Sequence, residues 1–173
     1  LASPAYFHKF FVNAAPTIVD AFYSNNWHSV LAGALGHGGQ GVFALDVTNP
    51  SFFTEAGAAS LFLWEFDDTA DADMGYSFSE PSMAKMENGT WAAVFGNGYN
   101  NTEADGNAST TGHAVLYIVD VSNGTVIKKI DTGVGTTATP NGLATPALID
   151  VDNDYVVDYI YAGDLYGNMW KFD

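Results

Sequence analysis

Four aspartates lie within nine residues near the end of the chain, in the segment DVDNDYVVD. Counted from the first of them, they occupy positions 1, 3, 5 and 9, and a valine occupies position 7. Calcium takes six to eight oxygen ligands, and alternate side chains of a tight turn converge on one point while a main-chain carbonyl supplies a further oxygen. The spacing therefore predicts one Ca²⁺ ion held by Asp150, Asp152, Asp154, the carbonyl of Val156, and Asp158.

The ligand type and the flanking residues limit this site further. An all-oxygen set is a poor match for zinc or copper, whereas magnesium would need a smaller octahedral site. The flanks PALI and YIYAG read as strands, so the sequence predicts a calcium hairpin over residues 150–158 instead of a paired-helix sensor. Tyr155 stands where such loops favour glycine, which predicts reduced affinity. An acidic surface turn without an ion is the alternative.

Other candidate sites are weaker. Asp67, Asp68, Asp71 and Asp73 in DDTADAD match no ligand pattern, and the segment is interpreted as a solvated loop in preference to a second cation site. GHGGQG lacks a following helix and a lysine, so it does not indicate a nucleotide loop. No serine or histidine occurs in a recognisable nucleophile arrangement, so no catalytic residue is predicted.

Composition excludes several classes of partner. Twenty acidic residues against five lysines and no arginine give a formal charge of -15, which repels nucleic acid and disfavours anionic membranes. Cysteine is absent, so thiolate metal sites and disulfides are excluded. No apolar run is long enough to span a bilayer, and no membrane insertion is predicted.

The elements that must position the aspartates are strands. Eighteen glycines and short β-branched and aromatic runs between turn clusters predict an all-β fold.

Three segments repeat, with prolines at Pro16, Pro81 and Pro146, 65 residues apart. Each repeat reads as a four-stranded antiparallel propeller blade, with units starting near 12, 77 and 142 in one partial propeller domain, 1–173. A β-sandwich is the alternative. The four tryptophans are expected to pack between blades: Trp27, Trp64, Trp91 and Trp170.

An ordered series of segments resembles the C-terminal domain of the PilY/PilC family, the tip-associated proteins of type IV pili. The series contains VLAGALGHGGQGVFALDVTNP, DADMGYSFSEP, WAAVFGNGYN, AVLYIVDVSNGTVIKKIDTG and NGLATPALIDVDNDYVVDYIYAGDLYGNMWKFD. The resemblance implies a modified seven-bladed, quinoprotein-like β-propeller, of which about three blades are present, and the same five calcium ligands. It further implies an extracellular protein at the pilus tip that supports pilus assembly, control of extension and retraction, surface attachment and twitching motility. The implied partners are minor pilins and a host or abiotic surface.

A second functional class shares the propeller and the calcium. Quinone-dependent alcohol dehydrogenases of the PQQ type have blades of similar sequence style, but they place calcium against the quinone and commonly use a vicinal cysteine pair. The absence of cysteine and a metal loop contained in one hairpin favour a non-enzymatic protein. The chain is expected to be a fragment of a longer protein.

Overall fold

The computed structural model describes residues 5–173, which form three antiparallel sheets. In the first two sheets each strand pairs with the next one along the chain. The first sheet contains β1 (Thr17–Tyr23), β2 (Asn26–Ala34), β3 (Gly41–Asp46) and β4 (Phe62–Asp67). The second contains β5 (Ser82–Lys85), β6 (Trp91–Gly96), β7 (His113–Asp120) and β8 (Val126–Gly135).

The third sheet has three strands, also paired in chain order: β9 (Ala147–Ile149), β10 (Tyr159–Gly163) and β11 (Met169–Phe172). The predicted four strands per blade are therefore present in the first two sheets, and three strands are present in the third. Within residues 5–173, helix is confined to α1 (Ala58–Leu61) and three single-turn 3₁₀ segments, Gly36–Gly38, Pro50–Phe52 and Glu55–Gly57. The prediction of an all-β chain is confirmed.

The first strands of the sheets lie side by side, with β1 against β5 and β5 against β9. Two equivalent hydrogen bonds join them: Thr17 Oγ1 donates to the Pro81 carbonyl at 2.6 Å, and Ser82 Oγ donates to the Pro146 carbonyl at 3.2 Å. Both donors and acceptors are 65 positions apart, like the repeated prolines. The sheets are thus placed next to one another in the same way twice, as successive blades are.

Both faces of the second sheet are buried because it lies between the other two. Side chains alternate along a strand, so Phe95 and Tyr117 face the first sheet, while Val94 and Leu116 face the third. Phe95, Tyr117 and Phe66 form an aromatic centre with ring centroids 4.9–5.7 Å apart. Burial on both faces explains why β6 and β7 read as almost continuous apolar runs.

The prediction that the tryptophans pack between blades holds for Trp64, and the exposed ring of Trp27 also meets Trp91 of the second sheet edge to face, with ring centroids 6.2 Å apart. Trp64 is 4% exposed and its Nε1 donates to the carbonyl of Val121, which directly follows β7 of the second sheet, at 2.9 Å. Trp27 is 61% exposed because it lies at the tip of the first hairpin.

One buried polar side chain connects three segments of the chain. Asn97 is fully buried, and its Oδ1 accepts hydrogen bonds from the Val115 and Leu143 amides, both at 3.0 Å. Its Nδ2 donates to the carbonyls of Asp73 and His113, both at 2.9 Å. Asn97 therefore joins the second sheet to the connections on either side of it.

Candidate functional site

The predicted metal loop is a hairpin loop between β9 and β10. Ile149 pairs with Tyr159, and the Asp158 amide donates to the Ile149 carbonyl at 2.9 Å. Residues 150–158 therefore leave and rejoin the sheet at adjacent points. A strand on each side fixes the two ends of the loop, which brings its first and last aspartates together.

Three of the four predicted carboxylates converge. Asp150, Asp152 and Asp158 each offer an oxygen within 4.8 Å of the other two, and among residues 5–173 they form the one such group of acidic or histidine side chains. Asp154 does not belong to this group; its Oδ1 accepts a hydrogen bond from the Val156 amide at 2.8 Å. The oxygen donors suit a hard divalent cation such as calcium better than zinc or copper.

Backbone amides hold the carboxylates in place. Asp150 accepts hydrogen bonds from the amides of Asn153, at 2.7 Å, and Tyr155, at 2.9 Å. Asp158 accepts from the Val151 amide at 2.7 Å, across the mouth of the loop. Each ionised carboxylate has about four lone-pair sites, so these bonds orient the oxygens and leave acceptor positions for a cation.

Two residues of the loop have left-handed backbone conformations, Asn153 with φ of 64° and Tyr155 with φ of 67°. Asparagine tolerates this region, whereas a residue with a larger side chain pays a steric cost of about 1–2 kcal/mol there. The side chain of Tyr155 is 87% exposed, so little burial offsets that cost. Tyr155 thus makes the sharp turn that glycine usually makes in loops of this pattern, and its backbone is strained as a result.

Replacing Tyr155 with glycine should raise the free energy of unfolding by about 0.5–1 kcal/mol, since relief of the left-handed strain exceeds the entropy that glycine adds to the unfolded chain. Urea unfolding of the intact protein measures this change. Tyr155→Ala is the matched control, because it removes the same ring and keeps Cβ. Equal stabilities of the glycine and alanine variants would show that backbone strain is not what limits this turn.

The loop also contacts the neighbouring sheet, which the sequence did not reveal. Val156 forms a parallel bridge with Lys85 at the end of β5, and the Val157 amide donates to the Lys85 carbonyl at 3.0 Å. A cleft of about 250 Å³ lies beside this contact, lined by Asp150, Tyr155 and Trp91 among others. The returning limb of the loop is therefore part of the junction between the second and third sheets. Whether the Val156 carbonyl binds an ion stays a prediction.

The sequence-based interpretation of DDTADAD as a solvated loop is wrong for Asp71 and Asp73, which are both partly buried. Lys129 Nζ lies 2.8 Å from a carboxylate oxygen of Asp71 and 2.7 Å from one of Asp73, and Ser109 and Thr111 also donate to Asp73. Burial alone would raise the pKa of Asp73, but the hydrogen bonds from Lys129 and Ser109 outweigh it and hold that pKa below its ordinary value. A lysine ammonium thus supplies the positive charge here. The sequence gives little indication of this ion pair, because Lys129 lies 58 residues from Asp71.

Comparisons with known proteins agree on one family. The profile of the family described as "PilY1 beta-propeller domain" matches residues 3–173. A "Type IV pilus biogenesis factor PilY1" from Pseudomonas aeruginosa (strain UCBPP-PA14) is 45% identical over 166 residues, which is 96% of this chain and 13% of that protein. A homologue from Xylella fastidiosa (strain Temecula1 / ATCC 700964) is 43% identical and spans 100% of this chain and 12% of its own length.

A solved structure is similar throughout most of the chain. The crystal structure of the Pseudomonas aeruginosa PilY1 C-terminal domain superposes with a TM-score of 0.76 at 44% identity, covering 92% of this chain and 29% of that one. The predicted fold class, part of a β-propeller, is confirmed. The chain spans about an eighth of the length of the curated relatives that it matches.

Proposed function

The chain belongs to the PilY1 β-propeller family, and from that premise we propose that it is a calcium-binding part of a type IV pilus biogenesis factor. The observation that carries the calcium proposal is the convergence of Asp150, Asp152 and Asp158 at the tip of one hairpin. Relatives are named as pilus biogenesis factors, which supports a role in pilus assembly and a protein without enzymatic activity.

In this proposal Asp150, Asp152 and Asp158 hold one Ca²⁺, and Asp154 and the Val156 carbonyl complete the set. These carboxylates repel one another when ionised, and a bound divalent cation reverses that repulsion. The aspartates orient the ion, and the amides of Val151, Asn153 and Tyr155 orient the aspartates. The bound ion stabilises the closed loop because the folded chain binds it and the unfolded chain does not.

The contact with Lys85 extends this effect beyond the hairpin. Since Val156 and Val157 pair with Lys85 on β5, a loop held by calcium keeps the second and third sheets in register with each other. We propose that this fixes the propeller surface that minor pilins, or a host or abiotic surface, contact. In this proposal the same surface supports the control of pilus extension and retraction, surface attachment and twitching motility.

We place the protein outside the cell, at the pilus tip. The names of the relatives support association with the pilus, and no helix within residues 5–173 is long and apolar enough to cross a membrane. The charge of -15 disfavours binding to nucleic acid.

The proposal is tested in a piliated bacterium that expresses the intact protein with both Asp150→Ala and Asp158→Ala. We expect loss of calcium binding in calorimetric titration of the purified protein, together with a smaller twitching zone and altered surface piliation. Asp20→Ala, which removes an exposed carboxylate from β1, is the control and should behave like the parent. Calcium binding by the double variant would refute the assigned site, whereas lost binding with normal motility would refute its role in the pilus.

A further inference from the structure

A second cleft lies at the opposite end of the sheets. Loop 150–158 precedes β10, whereas Asp164 and Leu165 follow it and line this cleft of about 350 Å³. It is also lined by Phe78 and Tyr99 from the second repeat and by residues 142–145, which lead into the third sheet. The cleft is thus built from both the second and the third repeats, at the end of their junction away from the predicted calcium ligands.

Backbone hydrogen bonds join the segments that line this cleft, so its shape does not depend on a bound ligand. The Gly98 amide donates to the Leu143 carbonyl at 3.1 Å, and the Leu165 amide donates to the Gly142 carbonyl at 3.1 Å. The two repeats approach so closely that a Cβ on Gly142 would lie 1.7 Å from the Gly98 carbonyl oxygen, so glycine is required there. A rigid cleft of this kind loses little conformational entropy when it binds a ligand.

The walls are apolar and exposed to solvent. Phe78 is 43% exposed, Tyr99 53% and Leu165 55%. The Phe78 ring continues into a row of aromatic rings, with His37 at 4.6 Å from it and Phe10 at 4.8 Å from His37. Contiguous exposed apolar surface of this kind indicates an interaction site, and the row is long enough to contact several residues of a partner.

The charges around the cleft are negative. Asp164 lines it, and Glu80 is exposed next to the lining residue Ser79, with its amide bonded to Thr145 Oγ1 at 3.0 Å. Burial of Asp164 is outweighed by hydrogen bonds from Asn168, Trp170 and Asn141, which lower its pKa to about 2, so it is ionised at neutral pH. None of the lining residues is a lysine. Two aromatic side chains and two carboxylates, with no lysine in the lining, form a surface complementary to a positive charge.

We propose that this cleft binds an arginine side chain, flanked by apolar residues, of a protein partner. The planar guanidinium stacks on the faces of Phe78 and Tyr99, and Glu80 and Asp164 supply the opposite charge. Arginine fits better than lysine because it is planar and less strongly hydrated. The flanking apolar residues of the partner contact Leu165 on one side and the row of aromatic rings on the other.

The test titrates the intact protein with a capped peptide of sequence Gly-Leu-Arg-Leu-Gly and with the same peptide carrying citrulline in place of arginine. Citrulline is an uncharged isostere, so the pair isolates the guanidinium charge. We expect binding of the arginine peptide, at least fivefold weaker binding of the citrulline peptide, and about fivefold weaker binding of the arginine peptide by Phe78→Ala and by Tyr99→Ala. Protection of the segments around Gly98 and Leu165 from hydrogen–deuterium exchange, read by mass spectrometry, locates the peptide.

Phe53→Ala and Glu55→Gln are matched controls, because both residues are exposed and lie in the insertion between β3 and β4. They should bind the arginine peptide like the parent, and Glu80→Gln should bind it more weakly. Equal affinities of the parent and Phe78→Ala would overturn the proposal, since they would mean that the peptide responds only to the overall negative charge. Absence of binding, or equal affinity for the citrulline peptide, would overturn it as well.

Discussion

Chelation of calcium should lower the melting temperature of the propeller domain in the intact protein by roughly 2–3 °C. An ion present at about 100 times its dissociation constant stabilises the folded state by about 2.7 kcal/mol, and 1 kcal/mol corresponds to about 1 °C for a domain of which this chain covers 29%. The shift arises because Asp150, Asp152 and Asp158 converge only when β9 and β10 are paired. Differential scanning calorimetry with excess EGTA, and again after calcium is restored, measures it.

Two variants separate ion binding from a general effect of negative charge. Asp150→Asn removes a carboxylate from the convergent group and should melt at the same temperature with and without EGTA. Glu87→Gln removes one exposed charge from the neighbouring hairpin and should keep the full shift. A parent protein whose melting is insensitive to EGTA would contradict the proposed site, and a shift retained by Asp150→Asn would place the ion elsewhere.

Replacing Asn97 with leucine should cost about 3 kcal/mol of folding stability, although the two side chains are similar in size. The substitution leaves the amides of Val115 and Leu143 buried without a hydrogen-bond acceptor, and each such loss costs about 1–3 kcal/mol. The carbonyls of Asp73 and His113 each keep a hydrogen-bond donor, because Asn101 Nδ2 also donates to them, at 3.2 Å in both cases. The midpoint of urea unfolding reports the loss.

Asn123→Leu is the control for this experiment. Asn123 is exposed, and its side chain accepts one hydrogen bond from the Thr125 amide at 2.8 Å in a surface turn. Water replaces that bond, so the control should lose less than about 1 kcal/mol. Equal losses for the two variants would mean that the buried connections made by Asn97 do not contribute specifically to stability.

Local sequence patterns predicted the strands well, and they predicted that residues 150–158 connect two of them. Short apolar runs between glycine and asparagine turns are sufficient to indicate β-strands, because side chains alternate in a strand and turns need particular backbone angles. The same holds for loop 150–158: its aspartates lie close in sequence and between two paired strands, so their convergence is a local property. Asp154 and Tyr155 show the limit, since the loop turns Asp154 toward its own backbone and gives Tyr155 a left-handed conformation.

Contacts between distant residues were decided by the tertiary structure. The ion pairs of Lys129 with Asp71 and Asp73, the bridge between Lys85 and Val156, and the four hydrogen bonds of Asn97 join residues that are far apart in the chain. The cleft beside Phe78 and Tyr99 likewise exists only where two repeats meet. Periodicity specifies which face of a strand is buried, but the packing of one sheet on the next determines which side chains meet. The sequence alone therefore determined the all-β fold and the spacing of the aspartates, and the tertiary structure determined their partners, because those contacts form only when separate sheets pack together.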